Sequence, residues 1–534
     1  MRAGFVVLAM DPLGQGERMQ YVDPQTGQLV VNWGTTEHSH AGLQCTLTGA
    51  NIARYFVHDA VRAVDYLCTR QEVDPNRIGV TGNSGGGTQT SYLLMVDQRI
   101  KVGVPCTYIT SREHYLQTGQ AHDAEQNLYG AVSEGINYDD FVTAIAPNPV
   151  MIGAVASDFF VIEGTLQSAK RARHVYQLYQ RPENFRLVVA PGIHRYASLL
   201  RREAVKWFQY HLMGIGSQLE DVIVTDPLEH WETITSQRDF TEEQDEGFAL
   251  EPLPDQELWC TESGQVYIDQ PKAPKVFHFN REASQSAPPL TNPREVLRQA
   301  VLGERVRNPL WVRCLDSGRE GDLEWHQVFF FTEPGIAVSG IWVTADAKAA
   351  PWLVLSEEGT EVLATNPAGI ADLAREKGRL FLFDVRGIGA VKQRPINPRD
   401  YSGLYGTEFV LNYNAIMLKD SLVWMRAYDV LRALEYVQGV TGQSPSLVAY
   451  DWLGPIALAA VAAWDNTVAQ MEYHRLLADL TSVIDTELHL CEHRLEAFDL
   501  ARILDIPGLL AQYRDSVTVK SSVDGRGRLR TSAS

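Results

Sequence analysis

The sequence predicts an α/β protein in which a mostly parallel sheet is flanked by helices, in two tandem copies of which the second is degenerate. Three observations support this fold class. Apolar strand-like runs alternate with helical segments over residues 1–213, as in a parallel sheet covered by helices. A glycine-flanked turn joins one of these strands to a helix. A similar alternation returns over residues 320–534, which is typical of an internal repeat.

Short apolar runs in the first region have the composition of strands that are buried on both faces, because they are rich in Val and Ile. The apolar stripe within residues 55–69 and the run at 201–212 predict helices. The predicted strands are 5–11, 77–81, 102–107, 149–157 and 185–190.

The region between the two copies has a different character. Residues 214–319 include an acidic run at 242–246 and several prolines, so we predict a linker with a few short strands.

The second copy is predicted from its resemblance to the first. Residues 378–389 resemble residues 4–16, because in each an apolar strand ends in Asp-x-x-Gly-x-Gly. A helix-like stretch at 421–437 and a strand-like run at 446–450 follow in the same order as in the first region.

Composition excludes several classes of function. A net charge of -19 argues against a nucleic-acid partner, since phosphate contacts need a basic surface. No stretch approaches the roughly 20 apolar residues of a membrane span. The six cysteines are far apart, so neither a disulfide framework nor a metal site is expected. The acidic charge fits an enzyme that acts on a neutral small-molecule substrate, and no metal or cofactor is expected.

The glycine-flanked turn is a candidate nucleophile site. Residues 82–86 read Gly-Asn-Ser-Gly-Gly, with a predicted strand before them and a predicted helix after them. Such a turn holds its central residue in a strained backbone conformation, so that only small neighbours fit. We therefore predict Ser84 as the nucleophile and the Gly85 N–H as an oxyanion donor, with Asn83 beside them in the pocket.

A serine hydroxyl needs a base and an orienting acid, which follow in the order Ser, acid, His in this kind of fold. Asp158 comes directly after the strand at 149–157, and His194 comes shortly after the strand at 185–190. Loops at the carboxyl ends of parallel strands meet at one edge of the sheet. We predict Asp158 as the acid and His194 as the base, with Glu163 as the alternative acid.

Four further residues are candidates for the surroundings of the site. His38 and His40 lie in the predicted loop after the strand at 5–11, where they either border the pocket or face solvent. Glu17 and Arg18 are expected to form a buried ion pair that shapes the site.

At these residues the chain resembles the acetylxylan esterase and cephalosporin-C deacetylase group of α/β-hydrolases, and their dienelactone-hydrolase-like relatives. The matching segments are 11–18, 77–87, 158–160 and 192–194. The resemblance implies an α/β-hydrolase fold. It also implies hydrolysis of small acyl esters, typically acetyl, on carbohydrates.

The chain departs from this family in its first residues. Such a domain normally has three strands before the one at 5–11. The third of them lies between the fourth and the fifth, and the loop after it supplies a second oxyanion N–H. We therefore expect that the sequence is N-terminally truncated, with weak or no activity, because one oxyanion donor contributes on the order of 10²–10³ in rate.

The second copy lacks the site residues. Trp452 stands about where the nucleophile is expected, and residues 356–358 would place negative charge at the oxyanion. The strand predicted at 515–523 ends at Asp524, which could match Asp158, but no strand and histidine follow. We predict that this half is catalytically inactive and serves packing, substrate binding or homo-oligomer formation.

Two alternatives remain open at this point. A serine peptidase of the prolyl-oligopeptidase type shares the turn and the residue order, but it would carry repeated β blades, which this sequence lacks. A non-catalytic pseudoenzyme or binding scaffold would also fit the missing strands and the degenerate second copy.

Overall fold

The computed structural model describes residues 2–224 and 253–530. Two compact units divide the chain. The first comprises residues 1–39 and 52–273, and the second comprises residues 40–51 and 274–534. The acidic run predicted as linker at 242–246 lies outside the described residues.

The first unit is built on a five-stranded sheet in the order β1-β2-β3-β4-β5. All its neighbouring strands are parallel. The strands are β1 (Ile78–Asn83), β2 (Ile100–Cys106), β3 (Val150–Val155), β4 (Phe185–Ala190) and β5 (Val222–Ile223). The helices are α1 (Thr35–Leu47, in this unit up to Ser39), α2 (Ala53–Thr69), α3 (Gly85–Val96), α4 (Arg112–Tyr115), α5 (Tyr138–Thr143), α6 (Ile162–Leu178), α7 (Ser198–Phe208), α8 (Asp255–Leu258) and α9 (Val266–Asp269).

The apolar patterns produced the expected elements in most of this unit. Every residue of β3 and β4 is buried, as expected for strands that helices cover on both faces. Helix α2 buries Phe56, Ala60 and Val64 at helical spacing, because one apolar stripe faces the sheet. The predicted parallel sheet flanked by helices is confirmed.

The strand predicted at 5–11 is absent. These residues run as irregular chain, and Val6, Val7 and Leu8 are exposed. A strand requires a hydrogen-bonded neighbour, and no described strand pairs with this segment. Its apolar composition was therefore not sufficient to make it a strand.

The second unit contains an eight-stranded sheet in the order β14-β12-β11-β9-β10-β8-β7-β6, and a three-stranded sheet β13-β15-β16. The strands are β6 (Arg313–Glu320), β7 (Leu323–Glu333), β8 (Ile336–Thr344), β9 (Pro351–Leu355), β10 (Arg379–Asp384), β11 (Ser446–Tyr450), β12 (Met471–His474), β13 (Leu476–Leu477), β14 (Val517–Val519), β15 (Ser522–Val523) and β16 (Leu529–Arg530). The helices are α10 (Val276–Ser286), α11 (Pro293–Leu302), α12 (Val362–Thr365), α13 (Pro367–Lys377), α14 (Thr407–Met417), α15 (Leu422–Thr441), α16 (Leu453–Ala463), α17 (Thr481–Ile484), α18 (Leu500–Ile503) and α19 (Ile506–Gln512).

The region 214–319, predicted as a linker with a few short strands, contains β5 near its start and the beginning of β6 at its end, and four helices, α8 to α11, among its other described residues. The strand predicted at 515–523 is two short strands, β14 and β15, which belong to different sheets. This error concerns a short segment, for which apolar composition alone does not determine pairing.

No helix of the described residues is long and apolar enough to cross a membrane.

Candidate active site

The site is built on the turn between β1 and α3. Ser84 occupies this turn with φ 58° and ψ −119°, a left-handed conformation that is strained for a residue with a Cβ. Its backbone N–H donates to Cys106 O at 3.0 Å and to Thr107 Oγ1 at 3.0 Å. The neighbouring strand β2 therefore holds the strained residue in place.

Two glycines beside Ser84 are required by close packing. A Cβ on Gly82 would lie 2.4 Å from the carbonyl oxygen of Gly86, and a Cβ on Gly87 would lie 2.4 Å from that of Cys106. These distances are shorter than any van der Waals contact, so larger side chains would open the turn.

The first turn of α3 provides a free hydrogen-bond donor. The N–H of Gly85 forms no hydrogen bond within the described parts of the chain, as is usual for the first residue of a helix. The partial positive charge at this helix end favours an anion nearby. Gly85 is thus positioned to bind an oxyanion that develops beside Ser84.

The predicted acid and base form a pair. Asp158 Oδ1 lies 2.8 Å from His194 Nδ1, and the aspartate side chain is 2% exposed against 23% for the histidine. Asp158 Oδ1 also accepts from the backbone N–H of Phe160 at 3.1 Å. The phenyl ring of Phe159 lies against the imidazole, with ring centroids 4.3 Å apart. Together these contacts orient the imidazole with its Nε2 away from the acid.

The third contact of the predicted triad, between the nucleophile Ser84 and the base His194, is not formed. No hydrogen bond joins Ser84 to His194 in the residues that the structure describes. Both follow strands of one parallel sheet and so lie at the same edge of it. Glu163, the alternative acid, is exposed on α6 and has no ion pair among the described residues, so the geometry favours Asp158.

A second polar pair lines the same cleft as the serine. His38 on α1 is 3% exposed, and its Nδ1 lies 3.2 Å from Glu125 Oε2. The Nε2 of His38 lies 2.7 Å from the carbonyl oxygen of Leu13. Burial opposes the charged imidazole, but the charge and hydrogen bonds of these partners outweigh it and raise the pKa of His38 to about 9. At neutral pH this histidine is therefore charged.

The charge of His38 matters because Glu125 lies beside the oxyanion donor. A Cβ built on Gly85 would lie 4.0 Å from Glu125 Oε1. Gly85 and Glu125 line a cleft of about 1030 Å³, and Asn83 and Ser84 line the same cleft. A carboxylate at this place would repel an oxyanion unless its charge were balanced, and His38 balances it.

Asp123 adds a further titratable group to this part of the cleft. Burial raises its pKa to about 7, assisted by the charge of Glu125 and opposed by that of His38. Sequence reasoning missed both acids, since a short Asp-Ala-Glu-Gln run looks like an ordinary polar loop. The only signal was a capping box, Asp123 with Gln126 three residues later, which indicates a turn and not a site.

Three expectations about the surroundings are corrected by the structure. His38 and His40 lie on a helix, not in a loop, and His40 packs within the second unit, with its ring 4.1 Å from that of His489. Glu17 and Arg18 do not pair with each other. Arg18 pairs with Asp59 at 2.7 Å, because the turn that follows residue 11 directs the two side chains to different partners.

In the described ranges no group of three or more His, Cys, Asp or Glu side chains is arranged to hold a metal ion.

Comparison with known proteins is consistent with this geometry. Residues 49–192 match the model of the prolyl oligopeptidase family. The Bacillus subtilis (strain 168) protein YtaP, which has the provisional description of a hydrolase, is 28% identical over 210 residues. That match covers 39% of this chain and 64% of YtaP, so the chain spans less than two thirds of that relative.

Solved structures show more distant similarity. A Bacteroides fragilis NCTC 9343 protein with the provisional description of an acetyl xylan esterase is 10% identical with a TM-score of 0.37, covering 47% of this chain and 69% of its own. A glucuronoyl esterase from Sporotrichum thermophile is 16% identical with a TM-score of 0.29, covering 35% of this chain and 59% of its own. The first unit, a helix-flanked parallel sheet with a strained serine turn after β1, has an α/β-hydrolase-type fold.

Proposed function

We propose that the first unit is a serine esterase that hydrolyses small acyl esters, acetyl esters above all, on carbohydrates through an acyl-enzyme. The observation that carries this proposal is the hydrogen bond between Asp158 and His194 at the sheet edge where Ser84 sits on its strained turn. These are the three chemical roles that acyl transfer by a serine requires.

In the proposed reaction His194 Nε2 takes the proton of Ser84 Oγ as this oxygen attacks the ester carbonyl carbon. The Gly85 N–H binds the oxyanion of the tetrahedral intermediate. The ester C–O bond then breaks, and the leaving alcohol takes the proton from His194. Asp158 stabilises the imidazolium throughout.

Deacylation repeats these steps with water. His194 removes a proton from the water molecule, the hydroxide attacks the acyl carbon, and Ser84 Oγ leaves with the proton. Because Ser84 and His194 are not hydrogen bonded in the structure, we expect this contact to form when substrate binds, as it does in many enzymes whose unliganded geometry is loose.

The ester substrate is supported by the sequence resemblance in four segments, and the hydrolytic chemistry by the similarity to the Bacillus subtilis protein. The match of residues 49–192 to the prolyl oligopeptidase family makes a serine peptidase the second candidate. The two candidates share the same three residues and differ in the acyl group that they accept and in the leaving group, which is an alcohol for the esterase and an amine for the peptidase.

The decisive experiment compares the full chain with Ser84→Ala on p-nitrophenyl acetate, acetylated xylan and a prolyl peptide substrate. We expect ester hydrolysis that falls by at least about 10³-fold in the variant, because nucleophile and base act as one unit. Ser133→Ala, a serine in a loop outside the cleft, is the matched control and should leave the rate unchanged.

Equal rates for the full chain and Ser84→Ala would disprove the proposal, and cleavage of the peptide alone would favour the peptidase. A non-catalytic scaffold would show neither activity, and it would not react with a fluorophosphonate at Ser84.

A further inference from the structure

The imidazole of His194 is held against the loop after β3. Its hydrogen bond goes to Asp158 at 2.8 Å, and its ring contacts are with Phe159 and Phe160, at centroid distances of 4.3 Å and 5.9 Å. These contacts orient the ring, but they do not connect it to β1 or α3, between which Ser84 lies. The distance between the base and the nucleophile depends on a different part of the loop that carries His194.

Tyr196, two residues after the base, connects this loop to β1. The oxygen atoms of the Tyr196 and Thr81 hydroxyl groups lie 2.7 Å apart. Thr81 belongs to β1 and precedes Ser84 by three positions. The contact therefore joins the loop that carries the base to the strand that carries the nucleophile.

Tyr196 is the donor in this hydrogen bond. The Thr81 hydroxyl donates to the carbonyl oxygen of Val104 on β2 at 2.8 Å, and a threonine hydroxyl has only one proton. Burial raises the pKa of Tyr196 well above its ordinary range, so the phenol keeps its proton at neutral pH. Two consecutive hydrogen bonds thus run from Tyr196 through Thr81 to β2.

The strand side of this connection is rigid. Thr81 is paired in register with Val104, in a parallel ladder that extends over the whole of β1. At the end of the ladder the N–H of Ser84 donates to Cys106 O at 3.0 Å. Because Thr81 and Ser84 are both fixed to β2, a group that is bound to Thr81 is also held at a set distance from Ser84.

The loop side of the connection is short. The carbonyl oxygen of Gly192 accepts from the N–H of Ser157 at 3.0 Å, and that of Tyr196 accepts from Arg201 Nη1 at 2.8 Å. His194 lies midway between these two tied residues. Two residues of chain span at most about 7 Å, so the position of Tyr196 limits where His194 can lie.

We propose that Tyr196 is a positioning residue for the reaction, because its hydrogen bond to Thr81 holds the His194 loop against β1, where His194 Nε2 can reach Ser84 Oγ once substrate is bound. This inference rests on the proposed function, in which His194 is the base. A displacement of a reacting group by about 1 Å can cost about 10²-fold in rate. A single bond between the loop and the strand can therefore control the rate of proton transfer.

Steady-state kinetics of the full chain on p-nitrophenyl acetate test the inference. Tyr196→Phe keeps the aromatic ring and removes the donor. We expect kcat to fall about 10- to 100-fold with KM changed by less than about twofold, because both acylation and deacylation use His194. A native kcat would overturn the proposal. A higher KM with a native kcat would also overturn it, since the hydroxyl would then act by binding substrate.

Tyr176→Phe is the matched control. Tyr176 is a buried tyrosine on α6, and its hydroxyl donates to the carbonyl oxygen of Asn148 at 2.7 Å. Neither residue lines the cleft. This variant also loses one hydrogen bond of a buried phenol, but it should keep the native kcat. An equal fall of kcat in both variants would mean that lost stability lowers the rate, and it would overturn the positioning role.

Variants of Thr81 test the bond from its other end. Thr81→Val removes the acceptor and should lower kcat as much as Tyr196→Phe does, whereas Thr81→Ser keeps a hydroxyl and should recover most of the lost rate. If the two groups act through their mutual bond, the double variant Tyr196→Phe/Thr81→Val should be no slower than either single variant. Losses that multiply in the double variant would contradict the proposal.

NMR of the His194 imidazole separates failure of this inference from failure of the proposed function, because it does not require turnover. We expect the His194 signals to shift or broaden in Tyr196→Phe and to stay unchanged in Tyr176→Phe. Unchanged signals in Tyr196→Phe would overturn the inference while leaving the proposed function intact. Equal rates of ester hydrolysis for the full chain and Ser84→Ala would instead disprove the proposed function, and the positioning role with it, even if the signals shifted.

Discussion

His38 and Glu125 form a buried pair, and we predict how much stability is lost when the charge of Glu125 is removed. The change is Glu125→Gln, which keeps the shape of the side chain and removes its charge. In the native chain the pKa of His38 is raised from 6.5 to about 9, with burial opposing and the charge of Glu125 producing the rise. A pKa rise of this size corresponds to about 3 kcal/mol of stabilisation of the charged imidazole.

The sign of the pH dependence follows from the linkage between protonation and folding. Because folding raises the pKa of His38, its contribution to stability is fully present below pH 6.5 and is lost as the pH rises through about 9. In Glu125→Gln burial becomes the dominant influence and lowers the pKa of His38. Between pH 6.5 and 9, deprotonation of His38 should therefore not lower the free energy of unfolding of the variant.

The assay is the NMR titration of the His38 imidazole in the native chain and in the variant, with urea unfolding at pH 6.5 and 9.5 as the second measurement. The imidazole signal separates His38 from Asp123, whose pKa is raised to about 7. We expect a native pKa near 9, a variant pKa well below it, and a loss of about 3 kcal/mol in the variant at pH 6.5.

Glu113→Gln is the matched control. Glu113 is 48% exposed and pairs with Arg171 at 2.8 Å, so the same charge change there should alter stability by no more than about 1 kcal/mol. If His38 titrated near 6.5 in both the native chain and Glu125→Gln, the proposed charge balance beside Gly85 would be refuted.

The remaining predictions concern the turn, the acid and one buried ion pair. Asp158→Asn should lower kcat on p-nitrophenyl acetate by about 10³–10⁴-fold with little change in melting temperature, because the imidazole loses its orienting acceptor; an unchanged kcat would contradict the assignment. Gly87→Ala would place a Cβ 2.4 Å from Cys106 O. We therefore expect a lower melting temperature together with a loss of activity. A variant with the native melting temperature and the native activity would contradict the close packing of the turn against β2. Arg186→Ala removes one of the two cations that pair with the buried carboxylate of Glu203 and leaves the other, Lys206, at 2.6 Å. Urea unfolding should therefore show a loss of roughly 1.5–3 kcal/mol, the contribution of a hydrogen bond to a charged group; a loss below about 1 kcal/mol would mean that the pair is solvated.

Much of the first unit could be predicted because its signals are local. The serine turn depends on glycine spacing over five residues, and the strands before and after it depend on short apolar runs. Asp158 and His194 were predicted from their positions directly after strands, since parallel strands place such loops at one edge. The structure brings these two side chains to 2.8 Å of each other.

The parts that could not be predicted depend on pairing across long stretches of chain. The segment at 5–11 has the composition of a strand, yet no described strand pairs with it. In the second unit the sequence analysis placed Trp452 about where the nucleophile is expected, but Asp451 is the residue with a positive φ, 51°. The N–H of Asp451 donates to His474 O, the last residue of β12, as that of Ser84 donates to Cys106 O. Backbone φ and this hydrogen bond, which cannot be read from the sequence, decide which residue occupies the turn.

The sequence by itself determined the parallel sheet, the strained serine turn and the candidate acid and base, because each follows from residue spacing within one element and its loop. Only the tertiary structure decided that His38 and Glu125, which are 87 positions apart, lie together beside Gly85. The physical reason is that burial and Coulomb interaction depend on distance in space, and the folding of the chain sets that distance independently of any local pattern.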